Sequence, residues 1–212
     1  RPLAPPLGDP RLGMTGIFLS LSRVLPSVYP LPDLVAGYRD EELDFCGTVV
    51  GLVERNDVID GSRARDGDLV IGLPSAGIHA NGFSLVRRIV GDDPFDADLL
   101  LPPTRCYLDD VRSLRARADV RALAHVTGGG IAGNLARVLP EGVGAVIDGG
   151  SWGRPAVFAW LAEHGVPEDE LRRVFNIGIG YCAVVPAAHV EPSDVVIGRL
   201  EAGVDGVAWS DA

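Results

Sequence analysis

Residues 68–90 read DLVIGLPSAGIHANGFSLVRRIV, and the change of period within them decides the fold. Residues 68–73 form a short apolar run rich in β-branched side chains, preceded by the turn signal Asp66-Gly67, and read as a strand. Pro74, Ser75, Ala76 and Gly77 interrupt it. Over residues 81–90 the pattern changes: Phe83, Leu85, Val86, Ile89 and Val90 fit the 3.6-residue period of a helix with one apolar face. A strand that feeds a helix through a glycine-containing loop is a building unit of layered α/β structure.

The alternation continues outward. Residues 45–54 (FCGTVVGLVE) read as a strand upstream, and residues 91–104, with Pro94, Pro102 and Pro103, read as a loop downstream. Residues 106–118 carry Leu108, Val111 and Leu114 on one helical face. Residues 122–126 read as a short buried strand, followed by Thr127-Gly128-Gly129-Gly130 and a helix to about Leu139. Residues 144–147, 178–185 and 195–200 read as further strands. Two helices lie between the first two of these. Pro155 opens one at its first turn, and Pro167 opens the other, with Glu168, Asp169 and Glu170 complementing its dipole. Residues 1–32 differ. Pro2, Pro5, Pro6, Pro10, Pro26, Pro30 and Pro32 break any period, and only residues 17–25 show a helical pattern, so the stretch reads as an arm that packs little.

Composition narrows the function classes. The chain has 212 residues, 47% of them hydrophobic, enough for one buried core. No apolar run approaches the roughly 18 residues of a membrane span, and residues 16–25 lack the features of a signal peptide. A cytoplasmic protein with no membrane partner is expected. The net charge of −10 disfavours a nucleic-acid partner, which needs a basic surface. All 19 basic residues are Arg, which excludes a lysine nucleophile, a Schiff base or a Walker-type lysine from this chain. Cys46, Cys106 and Cys182 are far apart and set among apolar neighbours, so they read as buried small hydrophobes. His79, His125, His164 and His189 lack zinc-ligand spacing. Asp57, Asp60, Asp66 and Asp68 read as a solvated turn, and no metal site is expected.

Three glycine-containing segments carry the candidate chemistry. The first, residues 72–87, sets Ser75, Gly77, His79, Asn81, Gly82 and Ser84 around the start of a helix, where unpaired N–H groups and the dipole favour an anion. The alternative is an ordinary strand-to-helix loop capped by Asn81 or Ser75. The second, residues 125–131, runs from a strand through Thr127, Gly128, Gly129 and Gly130 into a helix. Ordering three consecutive glycines costs roughly 1–2 kcal/mol each, which suits phosphate binding at a helix start or close strand–helix packing. His125, at the strand end, reads as a packed histidine. The third, residues 175–181, places Asn176, Gly178 and Gly180 where a ligand or another backbone comes close. No residue stands out as catalytic.

Taken together these segments resemble the phosphoribosylformylglycinamidine cyclo-ligase (aminoimidazole ribonucleotide synthetase) family. GLPSAGIHANGFSLVR resembles its SSGxHSNGYSLVR signature, and LPPTRCYLDDV its APTRIYV segment. HVTGGGIAGNLARVLPEG resembles its TGGG segment, and SWGRPAVFAWLAEHGV and RRVFNIGIGYCAVVP resemble its SWxxPxxFxWL and RTFNxGxGM segments. The motifs stand in family order between about Gly37 and Leu200.

The resemblance implies an α+β fold, a three-layer α/β/α sandwich with a mixed sheet, like the family's C-terminal domain, over residues 37–212. Residues 1–36 do not match. It implies ATP-dependent closure of formylglycinamidine ribonucleotide to aminoimidazole ribonucleotide, with ADP and phosphate released and Mg²⁺ needed for the nucleotide. Most ATP and Mg²⁺ ligands, and the homodimer contact, belong to the family's N-terminal domain, so this chain is expected to supply the substrate side and to need no cofactor of its own. The sequence departs from the family in three places. Residues 29–37 read YPLPDLVAG where the family has GGETAEMPG, Ala76 and Ala80 replace serines, and residues 187–194 are too short for the family's helix. A ligand-binding relic of the same fold, or a relative such as selenophosphate synthase, is the alternative.

Overall fold

Strand β3 (Leu69–Pro74) lies inside a six-stranded sheet, and its apolar run is continuous because both of its faces are covered. Val70 points into the larger of two cores and Ile71 into the smaller, the alternation a strand's period of two imposes. A computed structural model describes residues 14–20 and 48–210. The chain divides into two compact units, Arg1–Val58 and Ile59–Ala212.

In the second unit β3 is followed by α1 (Phe83–Val90), α2 (Ala97–Leu100), α3 (Leu108–Arg117), β4 (Ala122–His125), α4 (Gly130–Leu135), β5 (Val143–Ile147), α5 (Ala156–Glu163), α6 (Glu168–Val174), β6 (Ile179–Val185), β7 (Val196–Ala202) and β8 (Val207–Trp209). The strand order is β4-β6-β3-β7-β5-β8. Every neighbouring pair is antiparallel except β5 and β8, so the sheet is mixed. The larger core joins Val70, Cys182, Val184 and Ile197 of the sheet to Val86, Leu100, Ile131, Leu135, Phe158, Leu161 and Leu171 of helices α1, α2, α4, α5 and α6. On the opposite face Leu114 of α3 packs with Ile71, Ala183 and Val185. This is the expected three-layer α/β/α arrangement, with unequal outer layers.

Several local expectations need correction. Residues 91–104 are not all loop: Asp96 accepts hydrogen bonds from the N–H groups of Asp98 (3.0 Å) and Leu99 (3.2 Å), and this cap starts α2. Pro155 precedes α5 as its N-cap and does not lie within its first turn. Strand β8 was not expected. In the first unit, residues 17–20 are not helical but belong to strand β1 (Met14–Ser20), which pairs antiparallel with β2 (Thr48–Glu54) in the register Met14↔Glu54 to Ser20↔Thr48. Hydrogen bonding to a distant strand decides that segment, and periodicity within it cannot report the partner. The rest of the proline-rich arm, Cys46 and residues 29–37 lie outside the described residues.

The aspartates also separate. Asp60 caps an exposed turn by accepting from the Ser62 hydroxyl and N–H, and these bonds hold its carboxyl below the ordinary value. Asp68 is no solvated turn residue. It is 3% exposed, and Arg121 Nη1 donates to both its oxygens at 2.7 and 2.9 Å.

Glu168, in the first turn of α6, accepts from Arg154 and Arg172, and those bonds pull its carboxyl from 4.5 to about 2. Its folded value lies below the unfolded one, so the pairing contributes fully above about pH 4.5 and is lost as pH falls towards 2. The side chain is 44% exposed, so solvent screening keeps the contribution small. Glu168→Gln should therefore lower the urea midpoint slightly at neutral pH, and the gap to the parent protein should close in strong acid. A gap that persists unchanged in acid would show that the ion pairs are not its source.

Candidate functional site

The first and third glycine segments are tied together by one buried amide. The Asn176 carbonyl oxygen accepts from the Ser75 hydroxyl (2.9 Å) and the Gly178 N–H (2.9 Å), while its amide nitrogen donates to the Gly77 carbonyl (2.8 Å). The Ser75 N–H donates in turn to the Gly178 carbonyl at 2.8 Å. Asn176 is 2% exposed, so each of these bonds forms away from water, where an unmade one is costly. Asn176→Ala should cost about 1–3 kcal/mol through the stranded Gly178 N–H alone, read as a lower urea midpoint. An unchanged midpoint would show that the loops hold without this residue.

The first and second segments meet as well. The Gly128 N–H donates to the Asn81 side-chain oxygen at 3.1 Å. Behind it Asn134, inside α4, gathers the triple-glycine loop. Its amide nitrogen lies 2.8 Å from the Gly130 carbonyl and 3.3 Å from those of Thr127 and Gly128, and its oxygen accepts from the Thr127 hydroxyl at 3.1 Å. The three loops therefore sit together on one side of the sheet's strand ends.

His79 is 4% exposed and holds a left-handed φ of 58°, as does Ile177 at 43°. Such backbone in non-glycine residues is strained and clusters at functional sites. His79 Nε2 accepts the Ala76 N–H at 3.2 Å, which assigns the proton of the neutral ring to Nδ1. That Nδ1 is buried without a hydrogen-bond partner. Burial, and to a lesser degree His125, push the His79 pKa down, so the ring is neutral at neutral pH. Tyr107 lies beside it, ring centroids 6.2 Å apart, and donates its hydroxyl hydrogen to the Pro74 carbonyl at 2.9 Å. Burial raises the Tyr107 pKa to about 12, so it too stays neutral. Tyr107 also lines a cavity of about 320 Å³ with Thr104, Arg105, Leu108, Val111, His125 and Tyr181.

None of the glycine-segment residues expected to bind ligand lines that cavity. Several of the glycines leave room for protein atoms: a Cβ on Gly82 would meet the Phe175 ring at 2.1 Å, one on Gly180 the Tyr107 hydroxyl at 2.0 Å, and one on Gly130 the Arg172 carbonyl oxygen at 1.9 Å. Gly128 and Gly129 have no atom so near. Ser84 is exposed on α1. His125 is exposed, not packed away, because the β4 strand ends there. Cys106 is exposed too, whereas Cys182 is fully buried and its thiol is pushed up to about 12.

Residues 65–203 match the sequence model of the family described as AIR synthase related protein, C-terminal domain. The chain belongs to this family. A phosphoribosylformylglycinamidine cyclo-ligase of Burkholderia cenocepacia is 44% identical over 181 residues, covering 80% of this chain and 51% of that protein. The chloroplastic/mitochondrial cyclo-ligase of Vigna unguiculata is 45% identical over 161 residues, covering 70% of this chain and 42% of that one. The chain thus spans about half the length of the relatives it matches. Among solved structures, the hydrogenase maturation protein HypE superposes with a TM-score of 0.52 at 17% identity, over 72% of this chain and 50% of that one, a likeness of fold.

Within the AIR synthase related domain, sequence reasoning missed Asn134, Tyr107, Tyr181 and the Trp152 indole that donates to the Ile177 carbonyl at 2.9 Å. Only Asn134 carried a signal: an asparagine inside a helix is unfavourable unless its side chain serves nearby backbone. No helix among the described residues is long and apolar enough to cross a membrane.

Proposed function

We propose that residues 37–212 form the substrate side of a cytoplasmic phosphoribosylformylglycinamidine cyclo-ligase, working on a small nucleotide. The observation that carries this reading is the knot of three glycine loops, cross-tied by Asn81 and Asn176, in a chain 44% identical to proteins of that name. ATP, when bound, supplies the phosphoryl group that turns the substrate's amide oxygen into a leaving group. This chain's part is to bind and orient: Ser75, Asn81 and the Thr127–Gly129 turn hold the substrate, and the buried, neutral His79 fixes the loop behind them by accepting the Ala76 N–H. Such rate gain rests on positioning and fixed dipoles. Among the described residues no three His, Cys, Asp or Glu side chains are grouped to hold a metal ion. The reading assigns the metal, most nucleotide contacts and the homodimer to the complementary half that the longer relatives carry.

The test is a turnover assay with formylglycinamidine ribonucleotide, ATP and Mg²⁺. The 212-residue polypeptide alone should give no aminoimidazole ribonucleotide, and adding the N-terminal half of a relative should give steady product. Product from the polypeptide alone would overturn the division of labour. Ligand binding without turnover in the mixture would make it a binding relic.

A further inference from the structure

We propose that the cavity between residues 104–108 and the β4–β6 ladder binds a planar heteroaromatic ring, stacked on the open face of His125. His125 and Tyr181 are partners across the ladder, and their rings lie nearly parallel, 5.7 Å apart at 19°. Tyr107 closes the other side, 5.4 Å from Tyr181 at 43° and 6.5 Å from His125 at 57°. The three rings make a wedge rather than a filled core. Its walls are rigid: Tyr181 is set by the sheet, and Tyr107 by its bond to the Pro74 carbonyl. His125 remains exposed although one face meets Tyr181, so a π surface is left for a further ring.

The cavity's volume, about 320 Å³, is enough for a nucleobase-sized group. Arg105 lies over Tyr107 at 5.4 Å, but its guanidinium is held by Asp110 at 2.6 Å and by the Pro74 carbonyl. Its charge is answered within the protein, and the site selects for flatness rather than for an anion. Stacking of this kind tolerates different rings, because each presents a π face.

The inference rests on the cyclo-ligase reading only for its probes. Two flat rings belong to that chemistry, the adenine of the nucleotide and the aminoimidazole of the product. The intact 212-residue chain would be titrated by calorimetry with adenosine monophosphate, with aminoimidazole ribonucleotide and with ribose 5-phosphate as a ringless control. At least one ring probe should bind about tenfold tighter than the control. The probe that does so names the source. His125→Ala should remove that advantage, and Tyr181→Phe should keep it. His125 is exposed, so its replacement leaves the core intact. Equal binding of ring and control, an unchanged advantage in His125→Ala, or no ring binding at all would overturn the proposal. Ring binding with no turnover in the reconstituted assay would sink the cyclo-ligase reading and leave this one standing.

Discussion

Replacing Gly130 by alanine should cost the domain roughly 3–5 kcal/mol and lower its melting temperature by about 10 °C. Two effects combine. Gly130 has a φ of +63°, which costs a residue with a Cβ about 1–2 kcal/mol. The new Cβ would also stand 1.9 Å from the Arg172 carbonyl oxygen and 3.0 Å from that of Phe175. Both obstacles are backbone, at the end of α6, and cannot swing aside as a side chain would. Relief requires α4 and α6 to part, which breaks into the core at Ile131 and Leu171. Gly129 provides the contrast. Its φ is +98°, but the nearest atom to a Cβ there is 3.7 Å away, so only the conformational cost applies. Thermal melts of the two alanine variants, side by side, check this. A Gly130→Ala protein that melts with its parent would show that the helices are not in contact as described.

Arg121→Met should cost about 3–5 kcal/mol, because it leaves the Asp68 carboxylate buried without its cation. Arg121 is 8% exposed and spans from Asp68 at the start of β3 to Asp119, which also meets Arg63. Asp68 keeps one bond afterwards, from the Arg65 N–H at 3.0 Å, too little to solvate a buried charge. The double variant Asp68→Leu, Arg121→Met removes the charge together with its partner and should recover part of the loss. Urea denaturation of the three proteins gives the comparison. A double variant no more stable than Arg121→Met would show that the two side chains do not depend on each other.

The layered fold was legible because its strands and helices carry their own patterns. Residues 68–90 show both periods within one stretch, and the glycines mark where one gives way to the other. What escaped was non-local. Strand β8 is only three residues long and takes its identity from parallel pairing with β5, as Ala145↔Val207 and Ile147↔Trp209. β1 is defined by β2 in the same way. At the candidate site the glycine loops announced themselves, whereas the asparagines that tie them and the rings beside them did not. Asn176 acts on Gly77 from 99 residues away, and nothing in its neighbourhood states that distance. Gly82, Gly130 and Gly180 had an ambiguous signal, since glycine makes room for a ligand and for a neighbouring side chain or backbone alike.

The strand order also sets a timetable for the chain as it leaves the ribosome. Both sheet neighbours of β3, β6 and β7, are translated after Asn176, which lies 101 residues beyond Ser75. At ordinary rates of synthesis that interval is roughly 5–20 s. Throughout it β3 has two apolar faces and two unpaired edges, the condition in which strands associate with the wrong partner. Release from that condition comes with β6, whose approach also brings Asn176 to Ser75 and Gly77. The last large step of sheet assembly and the closing of the loop knot are one event, so a nascent chain halted before residue 176 has neither.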